Sequence, residues 1–137
     1  MSSQGNYVET RHLPKFQALM QLHQNLISGK VERHNVAPFA AHPDKAFRLN
    51  EMMHCQNKYE AYRQSRSGND QFQYSFCLAN KVCPDEMDKW TSCFQNCQQT
   101  GANLDLCASK KTAAEKCSMN FSQEACRLFV DYNLFSK

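Results

Sequence analysis

Thiols carry most of the chemistry this chain could perform. Its eight cysteines, Cys55, Cys77, Cys83, Cys93, Cys97, Cys107, Cys117 and Cys126, all lie after residue 54. An even count at this density in a short chain reads as a disulfide framework, which needs an oxidising compartment. Other thiol chemistry fits less well. Dithiol redox exchange would use a CxxC motif, and none occurs. Cys93 and Cys97 stand one helical turn apart and offer two metal ligands, but zinc needs two more, for example His54 and Cys55, and the spacing matches neither common zinc template. The five histidines (His12, His23, His34, His42, His54) recur at spacings near eleven, which suits solvated or interface positions rather than a ligand set. There is no GxGxxG, no P-loop and no HExxH. The expectation is a protein without catalytic residues, cofactor or metal.

The elements that must place these cysteines belong to a chain of 137 residues, one ordinary domain or two very small ones. Hydrophobic residues make up 42% and charged residues 21%, which excludes wholesale disorder. No apolar run approaches the roughly 20 residues of a membrane-spanning helix. The net charge of +3 sits in the first third: residues 1–50 hold six Lys/Arg against three Asp/Glu, and residues 51–137 hold ten of each. That excess is too thin for a nucleic-acid footprint. The opening MSSQGNYVETRHLPKFQALM has no basic segment followed by an apolar core, so no secretory signal is visible. Either a signal was removed, or the chain reaches an oxidising space by another route.

Residues 1–14 read as a flexible arm. Phe16, Leu19, Met20, Leu26 and Ile27 then recur at helical spacing with His23 on the same face, bracketed by Pro14 and Gly29. This predicts a helix over about 15–28. Its opposite face (Gln17, Gln21, Gln24, Asn25) is uncharged, which favours a protein partner over a membrane surface. Residues 30–43 read as an extended connector. Beyond them Gly68 and Gly101 sit in the polar clusters 65–70 and 100–103. Four helices are expected, at about 45–64, 71–82, 84–99 and 104–130, forming two consecutive αα-hairpins. The predicted class is all-α: an N-terminal arm over 1–43, a partly stapled hairpin over 44–82, a second hairpin over 83–130 and a tail over 131–137.

On the third of these helices Cys83, Met87, Trp90, Cys93, Phe94 and Cys97 fall within an arc of about 120°. On the fourth, Cys107, Ala114, Phe121 and Leu128 repeat every seven residues, with Cys126 almost opposite. Nine residues separate Cys83 from Cys93, and nine separate Cys107 from Cys117. Ten positions of α-helix return to roughly the same face about 15 Å further on, so antiparallel legs can be stapled at two levels. Pairs 93/107 and 83/117 share the midpoint 100, in the Thr100-Gly101 turn. Disulfides Cys93–Cys107 and Cys83–Cys117 follow. Cys55 and Cys77 have midpoint 66, inside the earlier turn, giving a single staple there. Cys77–Cys126 would meet the same arithmetic if the second and third helices were continuous, and Pro84 argues for a break. Cys97 and Cys126 stay unassigned.

The motif Cys83-(nine)-Cys93-(thirteen)-Cys107-(nine)-Cys117 resembles the twin CX9C proteins of the mitochondrial intermembrane space, whose unit is the coiled-coil-helix–coiled-coil-helix (CHCH) hairpin. Within that family the stretches CPDEMDKWTSC (83–93) and DKAFRLNEMMHC (44–55) look most like the double-CHCH, PGIV-type accessory subunit of respiratory complex I. The chain departs from that pattern by lacking the outer staple of the first hairpin and by adding Cys97 and Cys126. The resemblance implies import without a cleaved presequence and oxidative trapping by the disulfide relay, a transient partner. Trp90 and Leu104, each three residues before a cysteine, would form the relay's docking surface or simply pack in the core.

The function expected is therefore a non-catalytic accessory subunit of a respiratory complex, complex I first. It would be peripheral to the inner membrane on the intermembrane-space side, with other subunits as partners. The alternative is a soluble CHCH assembly factor or metallochaperone. A third reading, a secreted disulfide-rich protein, would give meaning to the glycosylation sequon at Asn120. Partner-facing residues are expected on the N-terminal helix (Phe16, Leu19, Met20, Leu26, Ile27) and in the tail (Leu128, Phe129, Tyr132, Phe135).

Overall fold

Pro84 lacks an amide hydrogen and holds φ near its helical value, so it starts a helix well and cannot continue one. The computed structural model, which describes residues 10–30 and 41–132, uses it in that way. Cys83 leaves the helical region (φ −132°, ψ 61°), donates its N–H to the Ala79 carbonyl at 2.8 Å and accepts from the Met87 N–H at 3.0 Å. One residue thus ends a helix and begins the next. Cys77 and Cys126 are not joined.

Six α-helices are described: α1 (Gln17–Ile27), α2 (Pro43–Met52), α3 (Gln56–Ser65), α4 (Gly68–Val82), α5 (Pro84–Thr100) and α6 (Ala108–Asp131). Short 3₁₀ turns cover Thr10–His12, Met53–Cys55 and Leu104–Cys107. The described residues contain no strand. The turn Met53–Cys55 splices α2 to α3, so the two form one leg of a hairpin whose other leg is α4. α5 and α6 form the second hairpin. Disulfides tie each hairpin across its legs, which gives an all-helical, disulfide-stapled fold of the CHCH type. No helix among the described residues is long and apolar enough to cross a membrane.

The first turn differs from the glycine-centred one expected. The left-handed residue is Arg66 (φ 56°), and Gly68 is already the first residue of α4. Ser67 takes the N-cap and accepts the Asp70 N–H at 3.1 Å, satisfying one of the unpaired amides at the helix start. A good capping residue directly after Arg66 thus moved the helix start three residues ahead of the one expected. In the second turn Gly101 is left-handed (φ 73°) and closes α5 on the Cys97 carbonyl.

The core corrects the picture of the N-terminal third. Phe16, Leu19, Met20 and Leu26 are buried, together with Leu22, which the face predicted from spacing did not include. α1 packs on α4 and α6, and its apolar stripe joins Met52, Tyr74, Leu78, Val82, Phe121 and Phe129 in one cluster. These α1 residues are not a waiting partner surface, because the two hairpins already remove them from water. Residues 10–14 are likewise not a free arm. Arg11 bonds Asp105 at 3.1 Å, Leu13 packs by Trp90, and the Lys15 N–H donates to Glu115 at 2.9 Å. The arm's residues 1–9, the connector's residues 31–40 with His34, and the tail's Phe135 lie outside the described residues.

Having α1 on its flank also widens the buried stripe of α6. That stripe runs Ala114, Ser118, Phe121, Ser122, Ala125 and Phe129, while Leu128 is only half-buried. Two serines in it are invisible to a hydropathy pattern. Ser122 satisfies its hydroxyl by donating to the Ser118 carbonyl one turn back, at 3.0 Å. Polar ties fix the outer helices. The Arg48 guanidinium donates to the Val82 carbonyl at the C-terminus of α4, and Lys45 pairs with Glu124 at 3.0 Å.

Candidate functional site

The sulfur chemistry gathers at the closed end of the second hairpin. Gly101 reverses the chain, Asn103 caps the following turn by accepting the Asp105 N–H at 2.9 Å, and that turn delivers Cys107 against α5. Cys93 and Cys107 are bonded, with Cα atoms 5.8 Å apart. Ten residues along each leg, Cys83 and Cys117 are bonded with Cα atoms 6.3 Å apart. The first hairpin carries Cys55–Cys77. Cys97 and Cys126 are free.

Cys97 is not isolated. It is 3% exposed, and its Sγ lies 3.7 Å from Cys107 Sγ and 3.7 Å from the Asn103 carbonyl oxygen, toward which the thiol can donate. The sulfurs of Cys93, Cys97 and Cys107 all fall within 4.8 Å of one another. The sequence held the signal for this grouping: Cys97 sits one turn beyond Cys93 on the same face, and Cys93 pairs with Cys107. Pairing Cys97 with His54 and Cys55 as metal ligands pointed elsewhere. The structure does not bring them together, since Cys55 is consumed by Cys77 and His54 faces Glu51 at 3.4 Å. The three-sulfur cluster itself offers a single thiolate while Cys93 and Cys107 are bonded, and the second group, Cys83, Glu86 and Cys117, also contains a disulfide. Neither donor set suits zinc in that state, because zinc takes thiolates.

An aromatic chain backs the sulfur cluster. Phe16 meets Phe76 edge-on at 5.7 Å, Phe76 meets Trp90 at 5.3 Å, and Trp90 tilts over Phe94 at 4.9 Å. Trp90 is buried and Leu104 half-buried beside it, so both pack in the core of the folded hairpin. A second aromatic group lies between α1 and the first hairpin. His23, buried rather than solvated, places Nδ1 2.6 Å from the Tyr74 hydroxyl, while Tyr62 stacks on the Tyr74 ring and Tyr59 lies tilted against it. The Tyr74 hydroxyl also reaches the Met20 carbonyl at 3.4 Å. Burial holds this phenol neutral well above the ordinary range. A helical pattern with one polar residue on its apolar side did not reveal that His23 has a built partner 51 residues away.

The residues expected to face partners divide. Phe16, Leu19, Met20, Leu26 and Phe129 are core, Ile27 and Leu128 are half-buried, and Tyr132 is exposed. Among the described residues, the large apolar side chains that do meet water are Leu106 (68% exposed), Val130 (64%), Phe47 (61%), Met119 and Tyr132. An open groove of about 630 Å³ runs beside α1, lined in part by Leu13, Phe16, Met20, Phe72 and Phe94. Burial pushes the Cys126 thiol above its usual range, which disfavours its reactive thiolate. Comparison of the chain with protein-family models, with curated proteins and with solved structures finds no match.

Proposed function

We propose that this chain is a non-catalytic accessory subunit of a mitochondrial respiratory complex, with complex I the first candidate, held on the intermembrane-space face of the inner membrane. The observation that carries the reading is the nested pair Cys83–Cys117 and Cys93–Cys107 across one helical hairpin with twin CX9C spacing. Such a hairpin needs an oxidising space, and membership of the twin CX9C family would supply both that space and a route into it. A small helical scaffold locked by staples suits a subunit that clamps its neighbours without doing chemistry of its own. Leu106, Val130, Phe47, Met119 and Tyr132 are the exposed apolar side chains neighbours would cover.

The test is to tag the chain in its own cells, solubilise membranes gently, and separate complexes on a native gel. Comigration with a respiratory complex, retained at high salt, is the expected result. A chain found only in the soluble intermembrane-space fraction would replace this reading with the assembly factor or metallochaperone. A secreted chain glycosylated at Asn120 would refute both.

A further inference from the structure

The two unpaired cysteines differ in their surroundings. Cys126 belongs to neither sulfur cluster, whereas Cys97 is in van der Waals contact with one half of a disulfide. Cys107 is thus shared: Cys93 holds it, and Cys97, one turn along the same face of α5, touches it from beside the bond, with all three sulfurs within 4.8 Å of one another. We propose that Cys97 is an internal exchange thiol that transfers the staple of the second hairpin from Cys93–Cys107 to Cys97–Cys107.

The step is redox-neutral. The Cys97 thiolate attacks Cys107 Sγ, the Cys97–Cys107 bond forms, and the Cys93–Cys107 bond breaks. Its electron pair leaves on Cys93 Sγ, which takes up the proton that Cys97 gave up. One thiol and one disulfide remain, and no oxidant or reductant is consumed. Of the two bonded sulfurs Cys107 Sγ is the one in contact, at 3.7 Å, and a rotation of the Cys97 side chain brings its sulfur into line with the bond to be broken. The hairpin stays closed in both forms, since either bond joins α5 to the end of the Leu104–Cys107 turn. What changes is the place of the free thiol. It moves from Cys97, which is sealed from water, to Cys93, which is only half-buried. The protein thereby offers a thiol to solvent or to a neighbour without giving up a staple.

The test uses the full chain purified without reductant. It is held at about pH 8, where ordinary thiols are partly ionised, with excess iodoacetamide. The linkages are then mapped once every thiol is blocked. Trypsin leaves all three cysteines in the peptide 90–110, so cleavage after Phe94 and before Asp105 is needed to separate them. The expected map contains alkylated Cys93 with a Cys97–Cys107 linkage, growing with time beside alkylated Cys97 with Cys93–Cys107. In a Cys97→Ser variant, labelling at Cys93 falls by about tenfold or more, because the remaining thiol, Cys126, belongs to neither sulfur cluster and cannot displace it from within the hairpin. The proposal is overturned if only Cys97 is labelled, if Cys126 reacts while neither Cys93 nor Cys97 does, or if Cys93 labelling persists unchanged in Cys97→Ser. The linkages of the unmutated chain decide the matter even where the variant fails to fold.

Discussion

Nested staples share the work of restricting the unfolded chain, and that sharing sets measurable stabilities. Taken alone, Cys83–Cys117 closes a separation of 34 residues and Cys93–Cys107 one of 14, for which chain entropy gives about 3.8 and 3.0 kcal/mol. The outer bond encloses the inner one, however. With Cys93–Cys107 intact, the outer bond closes only the two ten-residue arms, about 21 residues, and its contribution falls to about 3.3 kcal/mol. By the same cycle the inner bond contributes about 2.5 kcal/mol while the outer is intact, and the two together about 6.3 kcal/mol. The paired substitutions Cys83→Ala/Cys117→Ala and Cys93→Ala/Cys107→Ala should therefore lose about 3.3 and 2.5 kcal/mol, read from urea unfolding followed by far-ultraviolet circular dichroism without reductant. Removing both should leave little or no folded protein, because a domain's whole stability is on the order of 5–15 kcal/mol. An inner loss larger than the outer, or an outer loss under about 1 kcal/mol, would refute the argument that the staples act through loop closure.

Three further substitutions test a buried bond and two left-handed turn residues. Tyr74→Phe removes the hydroxyl 2.6 Å from His23 and should cost about 1–2 kcal/mol at neutral pH in the same urea assay; no loss would mean the pair is not a structural bond. Because burial raises the Tyr74 pKa above its unfolded value, its contribution is complete below about pH 10. It is then lost by about 1.4 kcal/mol per pH unit as the pH rises further, so Tyr74→Phe should flatten that part of the alkaline unfolding curve. Gly101→Ala should cost about 1 kcal/mol, all of it backbone conformation, since a Cβ there meets nothing within 4 Å. Arg66→Gly should instead stabilise by up to about 1 kcal/mol by relieving a left-handed non-glycine residue. A destabilised Arg66→Gly would show that the arginine side chain carries a contact worth more than the strain.

The staples were legible because a hairpin pairs residues by counting. Midpoints 100 and 66 depend only on residue numbers, and the chain does turn at Gly101 and at Arg66. The break at Pro84 was legible from covalent structure alone. What could not be read was where an amphipathic face would go. The stripe on α1 states that it must be covered, and says nothing about by whom. α4 and α6 cover it from within the chain, at distances in sequence that no local pattern reaches. Residues such as His23, Ser118 and Ser122 escaped for a related reason. Each is polar by type yet buried, and becomes tolerable only through a bond made in the folded state. The contact of Cys97 with Cys107 lay between these cases, implied by one turn of helix and one disulfide taken together.

Staples and core also divide the molecule between them. The larger apolar cluster draws on α1, α2, α4, α5 and α6, and there the aliphatic and aromatic burial is extensive. The far end of the second hairpin has only Trp90, Cys97 and Cys107 fully buried, with Leu13, Phe76, Phe94 and Leu104 around them. A cluster that small holds two helix ends together weakly, and the Cys93–Cys107 bond lies inside it. An exchange thiol at this end is therefore tolerable only if the replacement bond also closes the turn, which Cys97–Cys107 does. Exchange in the middle of the larger core would have to move packed side chains along with the sulfur. At the hairpin tip it moves the staple by one turn of a single helix, in the part of the fold with the least packing to disturb.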